Sequence, residues 1–421
     1  MSAKSSMSHM QQVSVTKQGA AGASSRITTA VRARLAANFF RKLSTQALVP
    51  YMTIDLAARI GATRAGFIIF FILALGAVIN LYGGRLCDRF DAVSILRRGE
   101  LAHAASLLAM CVLCGNVVAL IGLYLVKNIF FSLALPAGEL VIMRRSSPDN
   151  RGRIYTLNNT LGNVAIPSGA LMGAFLYGWG LRPLLAVATA LAIGVCLIYC
   201  FYMEAGAAKV EVREPMRRDG GAVVALFRNR TALYLFFATV LLFVLEFSFG
   251  QYFAVKIASA GDWNFRNGLV IDGAGIFGLL RAELAVVSVL AAWLCLRWVE
   301  RLQRPPQLGG TVVLATASFI ALLYVRGPGA MMLCVAVMGI VDAVANPALQ
   351  ARFMNALSSR HLGMHISIYS LSGRFANMIA AVVLAASGIV SATGVSMILC
   401  LTGIAASALA LAGARHASSA P

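Results

Sequence analysis

The chain has 421 residues, of which 59% are hydrophobic and only 12% charged, and its mean hydropathy is +0.78. A soluble domain carries about 25% charged residues, and no aqueous fold hides this much apolar surface, so the composition excludes a water-soluble protein. The net charge of +20 would suit a nucleic-acid binder only if the basic residues gathered on one surface.

In chain order, the first 30 residues are rich in Ser, Ala and Gln. They have no apolar core and no small-residue cleavage site, and read as a disordered cytoplasmic tail, not a signal peptide. Apolar stretches long enough to cross about 30 Å of hydrocarbon then recur. Backbone groups in lipid must bond within their own segment, so each is predicted to be a helix. The spans are 31–57, 65–84, 94–115, 117–143, 154–178, 183–203, 231–255, 273–297, 309–325, 329–354, 364–388 and 390–413. Only Gly115 and Asn116 separate the third from the fourth, but one span of their joint length is implausible. With both termini in the cytoplasm, about 25 of the 36 Lys and Arg fall on cytoplasmic segments, about 6 outside and about 5 within helices. The charge is thus chiefly a topology signal for a multi-pass inner-membrane protein, with some affinity for anionic lipid. The lipid bilayer is an expected partner and nucleic acid is not.

Residues 204–230 are the longest polar interruption. The expected organisation is a tail (1–30), a six-helix half (31–204), a cytoplasmic linker (205–230), a second six-helix half (231–413) and a cytoplasmic tail (414–421). Internal similarity supports the division. Arg85-Leu-Cys-Asp88-Arg89 after the second helix returns as Arg297-Trp-Val-Glu300-Arg301 after the eighth, and Ile154-Tyr-Thr-Leu with Asn163 returns as Ile368-Tyr-Ser-Leu with Asn377. Parallel repeats of this kind place a substrate site between the halves near the bilayer midplane, opened to each side by rocking. The expected fold class is therefore an all-α membrane protein of twelve transmembrane helices in two pseudo-symmetric halves.

Three motifs carry a resemblance to the major facilitator superfamily, in particular its twelve-helix multidrug and small-molecule proton antiporters. Gly84-Arg-Leu-Cys-Asp88-Arg89 is similar to the family's loop motif Gly-x-x-x-Asp-Arg-x-Gly-Arg-Lys. Asp91, Ala92 and Val93 stand where Gly-Arg-Lys would be, and Arg97 and Arg98 follow. Glycine lets helices approach, and an acid with arginines can latch helix ends in one state. The resemblance thus implies a conformational gate of Gly84, Asp88 and Arg89, with Arg297, Glu300 and Arg301 in the second half. Leu123-Tyr-Leu-Val-Lys127 resembles the motif with a basic residue in helix four, which in the family is associated with proton coupling. An unpaired charge at that depth, about ten residues from either end, costs ~2.5 to 3.5 kcal/mol; a lysine paired for packing is the alternative. Gly162, Pro167, Gly169 and Gly173 are similar to the antiporter motif of helix five, where proline and glycines allow bending and close packing.

Other motifs carry less. Gly273-Ala-Gly275-Ile-Phe-Gly278 has dinucleotide-fingerprint spacing but no preceding strand, and reads as helix packing. No phosphate-loop motif occurs, so energy must come from a gradient or a partner. His361 and His365 lack the glutamate of a zinc-protease helix. Cys111 and Cys114 have CxxC spacing without a second pair, and the eight cysteines read as packing residues. Asn158-Asn-Thr160 lies inside a predicted helix, where no glycosylation is expected. No metal, no cofactor and no enzymatic nucleophile-base pair is expected.

Polar residues at helical spacing mark the substrate cavity: Asn38, Arg41 and Thr45 in helix one, Arg281 in helix eight, Asn346 in helix ten, and Arg374 and Asn377 in helix eleven. Arg281 and Glu283 are two apart and point to different faces. Deep in the first half lie Arg41, Lys42 and Lys127; the deep carboxylates Glu246, Glu283 and Asp342 lie in the second. The first half is read as offering positive charge to an anionic or zwitterionic substrate. A desolvated carboxylate would carry the proton, with Glu246 first and Asp342, Glu283 and Lys127 as further candidates. Structural ion pairing between the halves would use the same residues. The leading expectation is proton-coupled export of a small organic molecule such as a drug, siderophore or other metabolite. Proton-linked uptake of an organic anion is the alternative within transport, and a membrane sensor or assembly factor the alternative outside it.

Overall fold

A computed structural model describes residues 27–145, 148–203, 229–264, 270–294, 305–356 and 362–418. Among them are twelve long helices: α1 (Thr29–Ile60), α2 (Ala62–Arg89), α3 (Ala92–Val112), α4 (Val117–Arg145), α5 (Pro148–Tyr177), α6 (Leu181–Tyr202), α7 (Arg230–Ala258), α8 (Gly273–Leu294), α9 (Pro305–Tyr324), α10 (Pro328–Asn355), α11 (Leu362–Ala386) and α12 (Ala392–Ser418). Eight are long and apolar enough to cross a membrane by themselves. The other four, α1, α3, α5 and α11, fall short because they carry much of the polar cargo, including Arg41, Glu100, Asn158 and Arg374.

Local chemistry sets the helix starts. Asn116 Oδ1 accepts from the main-chain N–H of Val118 (3.0 Å) and Ala119 (3.1 Å), which opens α4 and separates it from α3. Asp91 accepts from Ser94 N at 2.9 Å to open α3, and Asn229 from Ala232 N at 3.1 Å to open α7. Three features depart from the sequence reading. Helix α7 is not regular but carries a π turn at Phe249–Phe253. A two-residue hairpin, β1 (Trp263–Asn264) against β2 (Val270–Ile271), joins α7 to α8. Helix α12 also runs to Ser418, past the predicted end of the last span. The expected linker falls almost wholly outside the described residues.

The face where α1 begins and α12 ends is called here the terminal face, and the opposite one the far face. In the first half α1 packs on α5 and α6, α2 on α4, and α3 on α4 and α6. In the second half the same pairings recur with every label raised by six: α7 on α11 and α12, α8 on α10, and α9 on α10 and α12. The halves meet through α2 against α11 and α5 against α8, pairs that the same rule exchanges. Lipid gives helices no hydrophobic reason to associate, so small residues that allow close approach decide these contacts. A Cβ on Gly66 would overlap the main chain of Ala381 and Ala385, and one on Gly278 would overlap Ala174. Gly66 and Gly278 are related by the offset that relates Arg85 to Arg297. Both sit in the first turns of helices that start at the far face. Beside them Tyr51 stacks edge-on to Phe277 (centroids 6.0 Å apart), Phe277 meets Phe249 (5.7 Å) and Phe249 stacks on Phe253 (5.3 Å). The two halves are sealed together at the far face.

Candidate functional site

Below that seal lies a cavity of about 220 Å³ with walls from both halves: Thr45 and Gln46 of α1, Ile72 of α2, Lys127 and Asn128 of α4, Gln251 of α7, Arg281 of α8 and Asn377 of α11. Its charged lining residues are Lys127 and Arg281, one from each half. The π turn aims Gln251 inward, where its Nε2 donates to Asn377 Oδ1 (2.6 Å) and to the Asn377 carbonyl (3.1 Å). Asn128 donates to the Ile72 carbonyl at 2.9 Å.

Behind Lys127 the first half holds a buried charged cluster. Arg41 lies over the Phe131 ring at 4.2 Å and donates through Nη2 to the Phe131 carbonyl at 3.1 Å, while its Nε and Nη1 have no partner. Lys127 Nζ stands 5.4 Å from the Tyr124 ring centre and 5.2 Å from that of Phe131, distances at which a desolvated cation is stabilised by the ring faces. Glu100 and His103 of α3 complete the cluster, each with one side-chain atom, Oε2 and Nδ1, lacking a partner. The sequence reading missed both. They are three residues apart on one face of α3, a signal that was available, and they give the cluster two cations, Arg41 and Lys127, and one carboxylate, Glu100.

The second half gathers Glu246, Asp342, Asn346 and Arg281. The Asn346 amide donates to Asp342 Oδ1 and reaches Glu246 as well. Both carboxylates line a small cavity of about 40 Å³ whose other walls include Leu242, Leu245, Leu284, Met338 and Ala345. Arg281 feels both charges but is in ion-pair contact with neither. Instead its Nη2 donates to Gln46 Oε1 of the other half at 3.4 Å, and its guanidinium lies 5.9 Å from the Phe249 ring centre. Two carboxylates and one guanidinium share a buried place, so a single proton brings the group to neutrality.

The remaining predicted residues scatter. Glu283, two residues from Arg281, lines neither cavity, and its buried Oε2 has no hydrogen-bond partner. Asn38 donates to Asn158 Oδ1 at 2.7 Å and ties α1 to α5; Thr45 does line the cavity between the halves, but turns its hydroxyl back to the Arg41 carbonyl at 2.8 Å. Arg374 is half-buried outside the cavity wall. Gly169 and Gly173 of α5 face the Leu43 and Ala47 carbonyls of α1, and Gly162 leaves room for the Lys42 side chain; Pro167 lies between Gly162 and Gly169 in the same helix. In the loop motif the close approach belongs to Gly83, where a Cβ would stand 2.7 Å from the Leu133 carbonyl oxygen, while Gly84 faces open space. Arg97 does not complete a latch to the other half: it donates to the carbonyls of Tyr199 (3.0 Å), Cys200 (3.3 Å) and Met203 at the end of α6. Arg89 is exposed. The side chains of Asp88 and His365, and residues Arg297, Glu300, Arg301 and His361, lie outside what is described. Among the described residues no group of three or more His, Cys, Asp or Glu is placed to hold a metal.

A multi-pass bundle with twin six-helix halves and a polar cavity between them has clear counterparts. The peptide transporter POT in complex with sulfate superposes with a TM-score of 0.70 at 16% identity, covering 93% of this chain and 94% of that one. A D-xylose-proton symporter gives 0.66 at 15% identity, covering 91% and 96%. A Na(+), Li(+), K(+)/H(+) antiporter of Planococcus maritimus is 24% identical over 179 residues, 41% of this chain and 42% of the relative. The multidrug resistance protein MdtH of Klebsiella pneumoniae (strain 342) is 25% identical over 146 residues, 35% and 36% of the two chains. The chain thus matches less than half the length of these two relatives. The model of the Major Facilitator Superfamily matches residues 35–381, from α1 into α11. The chain belongs to the major facilitator superfamily and has the all-α fold of its membrane transporters.

Proposed function

We propose that this chain is a proton-coupled exporter of small organic molecules, working by alternating access in a cell inner membrane with the terminal face in the cytoplasm. The observation that carries the reading is the position of Arg281, between the carboxylate pair of its own half and Gln46 of the other. With a proton on the pair, Arg281 is left to bridge to Gln46 beneath the far-face seal. Loss of the proton draws the guanidinium back to the carboxylates, weakens the bridge and biases the halves toward opening at the far face. The partial matches to an antiporter and to MdtH, and the small-residue packing of α5 on α1 and α8, support export.

A second reading, uptake with protons, has its own support. Lys127 and Arg281 are the charged groups of the cavity wall, which suits a cargo with an anionic group. A proton on the carboxylate pair removes negative charge beside that cargo, so proton and anion favour each other's binding. Proteoliposomes with an imposed pH gradient decide between the two: export by antiport accumulates cargo in the acidic compartment and symport in the alkaline one. In either case Glu246→Gln should abolish gradient-driven accumulation while preserving cargo binding and downhill exchange. Uphill transport by this variant at the normal rate would remove Glu246 from the coupling and leave Asp342 to be tested. Loss of folding in Glu246→Gln, restored by also replacing Arg281, would assign the cluster to structure.

A further inference from the structure

On the outside of the first half, exposed apolar residues of α2 form a helical stripe, Phe67, Phe71, Leu75, Val78, Leu81 and Tyr82, that ends at the terminal face in Arg85 and Arg89. Helix α3 repeats the pattern from the other end: Arg98 begins a stripe that continues through Leu101, Ala105, Leu108 and Val112. Apolar side chains exposed along a membrane helix at this spacing face acyl chains. Both stripes therefore mark the lipid side, and both turn basic at the same end. Where they meet, α2, α3 and α4 enclose a groove of about 370 Å³ walled by Leu86, Phe90, Ile95, Phe130 and Leu133 with Arg98 at its lip. Asp91 also lines it, but its carboxylate is engaged, accepting from the main-chain N–H (2.9 Å) and hydroxyl (3.1 Å) of Ser94. Arg97, next in sequence to Arg98, is turned away and spent on the end of α6. Arg98 alone of the two is left at the groove, and the alternating-access cycle proposed above makes no use of it.

We infer that this groove is a binding site for one anionic phospholipid of the terminal-face leaflet, with its phosphodiester on Arg98 and the upper part of an acyl chain between α2 and α3, against α4. An apolar slot open to hydrocarbon and capped by a guanidinium at headgroup depth matches a lipid in both parts. A free phosphate would use only the cap. Arg85 and Arg89, within a turn of Leu86 and Phe90, add to the positive field at the mouth. Each basic residue near an anionic surface contributes about fivefold in binding.

The test is native mass spectrometry of the purified full chain in detergent holding equal amounts of dioleoylphosphatidylglycerol and dioleoylphosphatidylcholine. The wild type should retain phosphatidylglycerol in about fivefold excess or more over phosphatidylcholine. Arg98→Gln should cut that excess about fivefold, and Arg98→Lys should keep most of it. Ile95→Trp, which fills the apolar wall, should lower retention of both lipids. Circular dichroism melting of each variant confirms that the bundle is folded, and Leu133→Trp replaces Ile95→Trp if the latter is not. Equal retention of the two lipids by the wild type, or an excess untouched by Arg98→Gln, overturns the site. So does an undiminished lipid count in the tryptophan variant, which would reduce the feature to surface charge attracting any phosphate.

Discussion

Arg34 is a charged side chain with 1% of its surface exposed, and its environment shows what a buried cation needs. Its Nε donates to the Gly138 carbonyl at 3.2 Å and its Nη1 to the Tyr199 hydroxyl at 3.0 Å, so one residue of α1 fastens α4 and α6. Hydrogen bonds from a charged donor contribute about 1.5 to 3 kcal/mol each, and their loss leaves the acceptors unpaired. Arg34→Met should therefore lower the melting temperature of the purified protein clearly, while the folded fraction keeps its response to a pH gradient. An unchanged melting curve would show that water replaces the guanidinium. Arg34 and Glu100 also mark what the sequence could not convey. Both lie within two turns of a helix end, where a long side chain is expected to snorkel to the interface, and whether it turns inward is decided by neighbouring helices. Glu246, Asp342, Asn346 and Arg281 were each legible as intramembrane polar residues, the carboxylates as proton carriers and the other two as cavity residues, because they interrupt long apolar runs from which no snorkelling is possible. That Glu246 and Asp342 share one small cavity, and that Glu283 does not line it, was a matter of helix facing.

At the scale of the element, α7 is the instructive helix. Its hydropathy announces a span, and nothing in Phe249-Gly250-Gln251 announces a π turn, since the extra residue is accommodated by packing against Phe277 and Asn377. A π turn arises from one inserted residue and tends to occur where a side chain must be redirected. Deletion of Gly250 should restore a regular helix with the two flanks still in phase, because the wide turn already absorbs the extra residue, and should redirect only the side chains of the turn itself. Gln251 would then leave Asn377. The expected result is a folded protein with transport reduced at least tenfold; transport at the normal rate would mean that the turn is incidental. The loop motif makes a related point. The pattern placed the helix contact at Gly84, but only the rotation of α2 about its own axis, fixed by packing on α4, assigns it to Gly83.

Over the whole molecule, the helix pairings of one half reproduce those of the other, and the far-face seal obeys the same relation, with Gly66 on α11 matched by Gly278 on α5. Gly66→Val and Gly278→Val should each hold the far face ajar. In a background lacking the eight native cysteines, Thr53→Cys near the seal should then react faster with a membrane-impermeant maleimide added on that side. Comparable acceleration by both valines is expected, and acceleration by only one would mean that the seal is asymmetric in energy despite its geometry. The linker, by contrast, need only bring the halves together, because the contacts that join them are encoded on both sides. A contact in which each partner offers the same donor and the same receptor is isologous, the kind by which identical subunits form closed dimers. The two halves thus bear the interface of a homodimer that has been written into one chain, and the distinct charge each half has since acquired, cations around Lys127 and carboxylates beside Arg281, is what such a fusion permits and a true homodimer forbids.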